Sequence, residues 1–447
     1  GTTATINSTI SGAATGGLTA GTADGNISSN VLINGGGTLN LGGGNSSLGF
    51  TIDGGTTVVA TGGSFSGFNL STINNDSVLR TTAATALQAP SSLQTTAGAG
   101  TLDVNGLSST ISTLGGVLAV TNSTSTGSVT LGLTVMNNTL THTGVISNGT
   151  GKISLATTGA IAQGSGFSST NTFSTQTLAG VNTYTGFTSL GRGTVALDFS
   201  NAAAPASNIL YNSGFGIPTG DDGKLIIARP TATVGVANSA IGSLATLTLT
   251  GKASTANSQQ FNGLKLTGGA ANILLNPNAT ANTVTLNLGS TLERSAGSLI
   301  NFATTNATTA LSGSATINAG FGTASTVLKD ANGVAFALIG GRDFAAKNAD
   351  SSAVVIATTT ASNTTGFTAN ADIEHPGPDD IGIHKIPVIA ATNGKRFAIE
   401  IKLIHPAAVE NHLRGTRCPP GRKLVHHDAG AGWNGNAEPR CLPRSHS

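Results

Sequence analysis

The residues best suited to chemistry in the first 371 positions are eleven carboxylates: Asp24, Asp53, Asp76, Asp103, Asp198, Asp221, Asp222, Glu293, Asp330, Asp343 and Asp350. Glycoside hydrolysis needs two such groups about 5 to 9.5 Å apart across a sugar, and a lyase commonly needs acids for calcium beside a basic group. These acids are scattered along the chain. Asp221 and Asp222 are adjacent, which on a strand would send them to opposite faces. Their setting, Gly220-Asp221-Asp222-Gly223, reads instead as a turn. Arg342, Asp343 and Lys347 follow Gly340 and Gly341 and would make either a small polar site or a solvated connection between strands; the connection is the expectation. His142, between Thr141 and Thr143, reads as a surface or spacer histidine on a strand rather than a catalytic base. This region has no GxxxxGK[ST] loop, no HExxH and no cysteine. No cofactor and no metal are expected of it.

The elements that must carry these residues are strands. Gly makes up 62 of 447 residues, charged residues 9% and aromatics 4%, yet hydrophobic residues reach 38%. With a mean hydropathy of +0.14 the chain is not a charged, apolar-poor disordered polymer. Short period-2 runs recur, as in Leu39 and Leu41, Leu102 and Val104, Leu131, Leu133 and Val135, and Val284, Leu286 and Leu288. Each would turn Val, Leu or Ile inward and Thr or Asn outward, with Gly, Asn and Ser at the corners, where left-handed backbone angles cost them little. Helical periodicity is almost absent; Ala83 to Leu87 reads as a turn. Small branched residues and few aromatics favour stacked coils over a series of β-sandwiches. The fold class is therefore all-β, an elongated right-handed parallel β-helix or solenoid with a short irregular C-terminal tail. Asparagines at turns, such as Asn74-Asn75 and Asn137-Asn138, would form hydrogen-bonded ladders along the axis.

Two neighbouring stretches are more definite. THTGVISNGTGKISLATTG begins at Thr141, and TLAGVNTYTGFTSLGRGTVALDF runs from Thr177 to Phe199. Together they resemble the autotransporter-associated β-strand repeat, through Gly144 to Ser147, Gly149, Gly151, Leu178, Gly180, Asn182 to Gly186, and Gly193 to Leu197. Gly144, Asn182, Tyr184 and Gly186 are the signature positions. Further stretches, Gln260 to Phe302 and Val334 to Val355, are similar to parts of large surface proteins that contain such repeats. The likeness divides the body into a Gly/Thr/Asn-rich solenoid region, 1–130, and a repeat-like region, 131–370. It implies export to the bacterial cell surface or beyond. Gly1 in place of Met is consistent with a processed product, and with no C-terminal run of barrel strands, export is expected to use a removed barrel or another partner.

The text changes at Asp372. The first 371 residues hold 22 charges, eleven of each sign, whereas the last 76 hold eight acidic and ten basic residues, seven of the eight histidines, both cysteines and the only Trp. Segment 371–447 reads as a charged accessory tail. Phe397, Ile399, Ile401 and Leu403 alternate, which places Ala398, Glu400 and Lys402 on the opposite face of one strand. Pro378-Asp379 with Glu400-Ile401-Lys402 resembles the pattern of a metal-dependent nuclease superfamily. That resemblance implies Mg²⁺ on Asp379 and Glu400, with Lys402 orienting water; a solvated edge strand is the simpler account. Cys418 and Cys441 would close a disulfide, or join His426 and His427 around a metal for which the spacing is irregular. A gene-junction or frame change would also explain so abrupt a shift.

A net charge of +2 advertises no nucleic-acid surface, and no apolar run is long enough for a transmembrane helix. The expected function is an extracellular or cell-surface structural and adhesive solenoid, with glycans or other surface components as partners and self-association into filaments or a matrix as a further role. The alternatives are a carbohydrate-active β-helix and a stalk carrying the tail nuclease.

Overall fold

The computed structural model describes residues 3–6, 30–34, 36–41, 49–60, 70–87, 92–124, 127–135, 139–157, 174–210, 220–228, 245–278, 282–311 and 314–356, together with four strands nearer the C-terminus. The chain divides into two units, Gly1–Glu374 and His375–Ser447. Among the described residues every regular element is a strand, and no helix is long and apolar enough to cross a membrane.

The first unit is an elongated parallel solenoid. One face starts with Thr3–Ile6, Thr38–Leu41, Thr57–Ala60, Ser77–Thr81, Gly100–Asp103 and Ala119–Thr121, stacked in that order. A second starts with Asn30–Ile33, Gly49–Ile52, Leu70–Ile73, Ser92–Gln94 and Leu114–Gly115. The chain visits the two faces in turn, so ladder partners after the first pairing, Thr3 with Thr38, lie 18 to 23 positions apart. Hydrogen bonding in this direction is never local, which is why the turn residues must return the chain to register each time.

A third face opens at Ser109–Ile111 and continues through Ser128–Leu133, Lys152–Thr157, Thr188–Leu190, Leu225–Ile227, Gly263–Leu266 and Thr291–Arg294. The second face crosses the Gly116 to His142 bridge and runs on through Leu140–His142, Thr175–Leu178, Thr194–Asp198, Ala245–Thr250, Ala270–Asn276, Leu299–Ala303 and Ala337–Ile339. The first face thins to bridges, Val120 with Ile146 and Ser207 with Ser258, before Ala256–Gln260, Thr283–Asn287 and Ala315–Asn318 restore it. Ladder partners on these faces lie from 19 positions apart, Thr175 with Thr194, to 52, Thr194 with Thr246, because segments of unequal length leave at the corners.

Side-chain alternation supplies the interior. In Ala245–Thr250, Ala245, Leu247 and Leu249 are buried while Thr246, Thr248 and Thr250 face outward. Register stacks Val195, Leu247, Ile273 and Phe302 into one buried column. Each such apolar side chain removed from water contributes about 1.5–3 kcal/mol.

Parallel order stops after Ala337–Ile339. Asp343–Lys347 returns antiparallel to it, and Val354–Ile356 pairs antiparallel with that strand. Bridges from Asn318 to Ala353 and from Val327 to Ala346 complete the closure. The last strands of two faces thus have antiparallel partners rather than open edges, which blunts the end-to-end growth that an open strand edge invites.

In the second unit Lys385–Thr392 and Lys395–Lys402 pair antiparallel, as do Arg422–Val425 and Arg440–Pro443.

Leu247→Ala should lower stability by about 2–5 kcal/mol, and Thr285→Ala on an outward position by no more than about 0.5 kcal/mol. Urea unfolding followed by circular dichroism measures both. Equal losses would contradict the inward and outward assignment.

Candidate functional site

The signature residues meet at the joint where the two-faced coils become three-faced. Gly144 packs on the backbone of the preceding coil, and a Cβ there would lie 2.1 Å from the Leu118 carbonyl oxygen. Gly180 repeats the contact one coil on, its would-be Cβ 2.0 Å from the Gly144 oxygen. Asn182 is fully buried and spans the joint. Its Oδ1 accepts from the Ile146 N–H at 2.9 Å, and its Nδ2 donates to the carbonyls of Ile209 and Gly180 at 3.0 and 3.2 Å. Tyr184 is buried, its hydroxyl 2.6 Å from Thr188 Oγ1, and burial raises its pKa. Gly186 approaches Ile153, where a Cβ would sit 2.4 Å from the carbonyl oxygen. Asn148 joins the group by accepting from the N–H groups of Thr185 and Ile153 and donating to Thr185 Oγ1. All these bonds end on the chain's own backbone or hydroxyls, so the cluster's chemistry is that of a structural joint.

His142 departs from the sequence expectation. It is buried at this joint rather than lying on the surface. Nε2 lies 2.6 Å from the Leu118 carbonyl, which makes it the protonated nitrogen, and Nδ1 finds no partner among the described residues. Burial pushes its pKa down to about 4, against the opposing pull of the Leu118 carbonyl.

A second cluster lies on the third face and was not legible as a cluster in sequence. Lys265 and Glu293 are register partners on adjacent strands. Lys265 reaches Asp221 at 2.7 Å and Glu293 at 3.3 Å. Lys224 bonds Glu293 and lies 3.2 Å from Asp221, while Lys152 pairs with Asp222 at 2.5 Å. The Gly-flanked turn expected at Asp221 and Asp222 is present, and it delivers both acids to the lysines. Burial pushes Asp221 up, but hydrogen bonds from Lys265 and Lys224 outweigh it and hold the carboxyl below its ordinary value. Lys224, joined by Lys265, holds Glu293 down as well. Two carboxylates do converge on a basic group here. Both carboxyls are held below their ordinary values, the opposite of the upward shift that a glycosidase's general acid carries. The arrangement clasps successive coils together.

Elsewhere Asp103 and Asp330 are tied into the fold. Asp103, despite burial, is held below its ordinary value by Ser123 and Arg80. Asp330 pairs with Arg294 at 2.5 Å, and that guanidinium stacks over the Phe336 ring at 5.8 Å. Asp343 and Lys347 occupy opposite ends of one strand, about 13 Å apart by strand rise, and Lys347 turns to the Gly322 carbonyl. They form no joint site. Asparagine ladders occur, but at Asn272 with Asn301 and at Asn287 with Asn318. Asn74 instead accepts backbone N–H groups of Thr96 and Ala97, and Asn75 bonds Asp53; Asn137 and Asn138 lie outside the described residues.

In the second unit Glu400 and Lys402 lie on Lys395–Lys402, opposite Pro387 and Lys385 in register. Asp379 lies outside the described residues, as do Cys418, His426 and His427. Cys441 is opposite Leu424. Among the described residues no group of three or more His, Cys, Asp or Glu is placed to hold a metal ion.

No protein-family model, curated protein or solved structure matches this chain.

Asn182→Ala strips the Ile146 N–H and the Gly180 carbonyl of their amide partner, at about 1–3 kcal/mol for each buried group left unmade. A thermal midpoint unchanged in that variant would rule out the bridging role. Acid should act in two stages. His142 is neutral when folded, so its contribution is complete above about pH 6.5 and is lost as pH falls towards about 4. Asp221 and Glu293 have lowered folded values; their contribution is present above about pH 4 and is lost as pH falls through those values. Lys224 and Lys265 are raised, so their share is present below about pH 10.4 and is lost as pH rises through the folded values. Stability measured from pH 8 to 3 should lose its upper stage in His142→Leu, and 1 M salt should flatten the lower one. A His142→Leu profile parallel to the parent's would contradict the first assignment.

Proposed function

We propose that this chain is the solenoid part of a secreted or bacterial cell-surface protein of the autotransporter-associated β-strand repeat type, serving as an elongated structural and adhesive scaffold. The observation that carries the reading is the placement of the repeat-like residues. Gly144, Gly180, Asn182, Tyr184 and Gly186 sit where one coil is fastened to the next, the task a repeat signature performs in a solenoid. A body of stacked coils displays the same polar columns many times, so individually weak contacts with glycans or another surface component add up to useful avidity. The paired strands at 337–356 favour a discrete scaffold over unlimited end-to-end growth.

A carbohydrate-active role is the second reading, favoured by the approach of Asp221 and Glu293 to shared lysines. One assay separates the two. The purified chain is passed over immobilised cell-envelope polysaccharides while soluble reducing ends and unsaturated sugars are measured. The scaffold reading expects retention that rises steeply with ligand density and no sugar release. Release abolished by Glu293→Gln would replace it with the enzymatic reading. Protease treatment of intact producing cells supplies the location test, with cleavage of this chain expected before that of cytoplasmic proteins.

A further inference from the structure

The second face carries a two-dimensional lattice that the scaffold role does not require. Register places Thr175, Thr194, Thr246 and Asn272 in one outward column. Thr141, Thr177, Ala196, Thr248 and Leu274 form the next. Asp198, Thr250 and Asn276 form a third, shorter one. Their intervening neighbours, including Val195, Leu197, Leu247 and Leu249, are buried, so these columns are the outer surface of the sheet. Seven of the twelve positions are threonine.

Three physical features decide what this surface can match; the first is common to the parallel faces and the other two belong to this one. Parallel strands are evenly spaced, without the alternating close and wide pairs of antiparallel sheets, so the columns repeat about every 4.8 Å across the strands and about every 6.6 Å along them. Threonine is branched at Cβ and stiff at χ1, which fixes a hydroxyl and a methyl at each of the seven threonine nodes. The lattice holds no Lys, Arg, Glu or aromatic residue, and its one charge, Asp198, lies in the shortest column at the edge. By contrast the third face carries the Lys152, Lys224, Lys265 and Glu293 network.

Such a surface matches a neutral partner that is itself periodic in two dimensions. A charged polymer finds no counter-charge on it, and a single glycan chain finds no aromatic platform on which to stack. Ice fits both conditions: its faces are uncharged, and their oxygen repeats are close to the two spacings of the sheet. We propose that the threonine columns between Leu140–His142 and Ala270–Asn276 bind ice. The hydroxyls hydrogen-bond a first water layer, the methyls order the water between them, and that layer joins the crystal. This goes beyond the scaffold reading and does not depend on it.

The test uses the full chain at micromolar concentration and reads two quantities: the gap between melting and growth temperatures of a single ice crystal, and the rate of ice recrystallisation. The expected result is a measurable gap and slowed recrystallisation. Thr248→Tyr, which raises a ring from the centre of the lattice, should reduce the activity by about tenfold or more, since adsorption at many nodes is cooperative. Thr285→Tyr, outward on the first face, should retain it within about twofold. Thr248→Ser keeps the hydroxyl, removes one methyl and should fall between them, which preserves the test if the tyrosine variant fails to fold by circular dichroism. Absence of both effects in the parent chain would overturn the proposal, as would equal losses in Thr248→Tyr and Thr285→Tyr. Retention on crystalline cellulose or chitin without any effect on ice would overturn it in favour of an ordered polysaccharide.

Discussion

Everything in the solenoid depends on satisfying main-chain hydrogen bonds between coils. A parallel stack has no local partner for its N–H and C=O groups; each must find one in the coil above or below, and a group buried without one costs about 1–3 kcal/mol. Where successive coils have equal length, the strand ladders suffice. Where segments leave and rejoin at the corners, rungs go missing, and buried side-chain amides take their place. Gln176 Oε1 accepts from the Leu114 N–H at 2.7 Å while its Nε2 donates to the Leu114 carbonyl at 2.9 Å. Gln259 does the same for Leu210, at 3.0 Å in both directions. Each amide presents the donor and acceptor pair of a peptide unit, so it stands in for a missing strand. Asn182 links three backbone groups in the same manner.

This explains why the interior tolerates so many polar residues in a chain with few charges. Gln176, Gln259, Asn182 and His142 are all inaccessible to water, yet the three amides are matched to backbone groups left by interrupted ladders. The glycine contacts at 144 and 180 belong to the same economy of space: a side chain there would force apart the coils whose hydrogen bonding the amides complete. The electrostatic clasp on the third face adds a weaker, salt-sensitive link between coils that are already hydrogen-bonded.

Much of the fold was legible because inward and outward positions follow a period of two whatever the coil length. TLTLT at 246–250 shows its buried face in the sequence itself. Register was not legible, since it depends on how many residues leave at each corner, and nothing local to Thr194 indicates that its next partner is Thr246. The same cause hid the charge network. Asp221 and Glu293 are far apart along the chain and meet only after the third face has been stacked correctly. The glycine, asparagine and tyrosine of the repeat-like stretch were visible as a pattern, whereas their mutual geometry required the coils. The burial of His142 is not legible, because an isolated polar residue among threonines carries no sign of which side of the strand it occupies.

The claim that side-chain amides replace missing rungs is tested most directly by amide hydrogen exchange at Leu114 in the parent chain and in Gln176→Leu, a change that preserves bulk and apolar packing while deleting the donor and acceptor. The account predicts that the Leu114 N–H, 2.7 Å from Gln176 Oε1, loses protection selectively, with the Leu79 and Leu102 amides of earlier coils unchanged. Leu114 protection equal in the two proteins would contradict it.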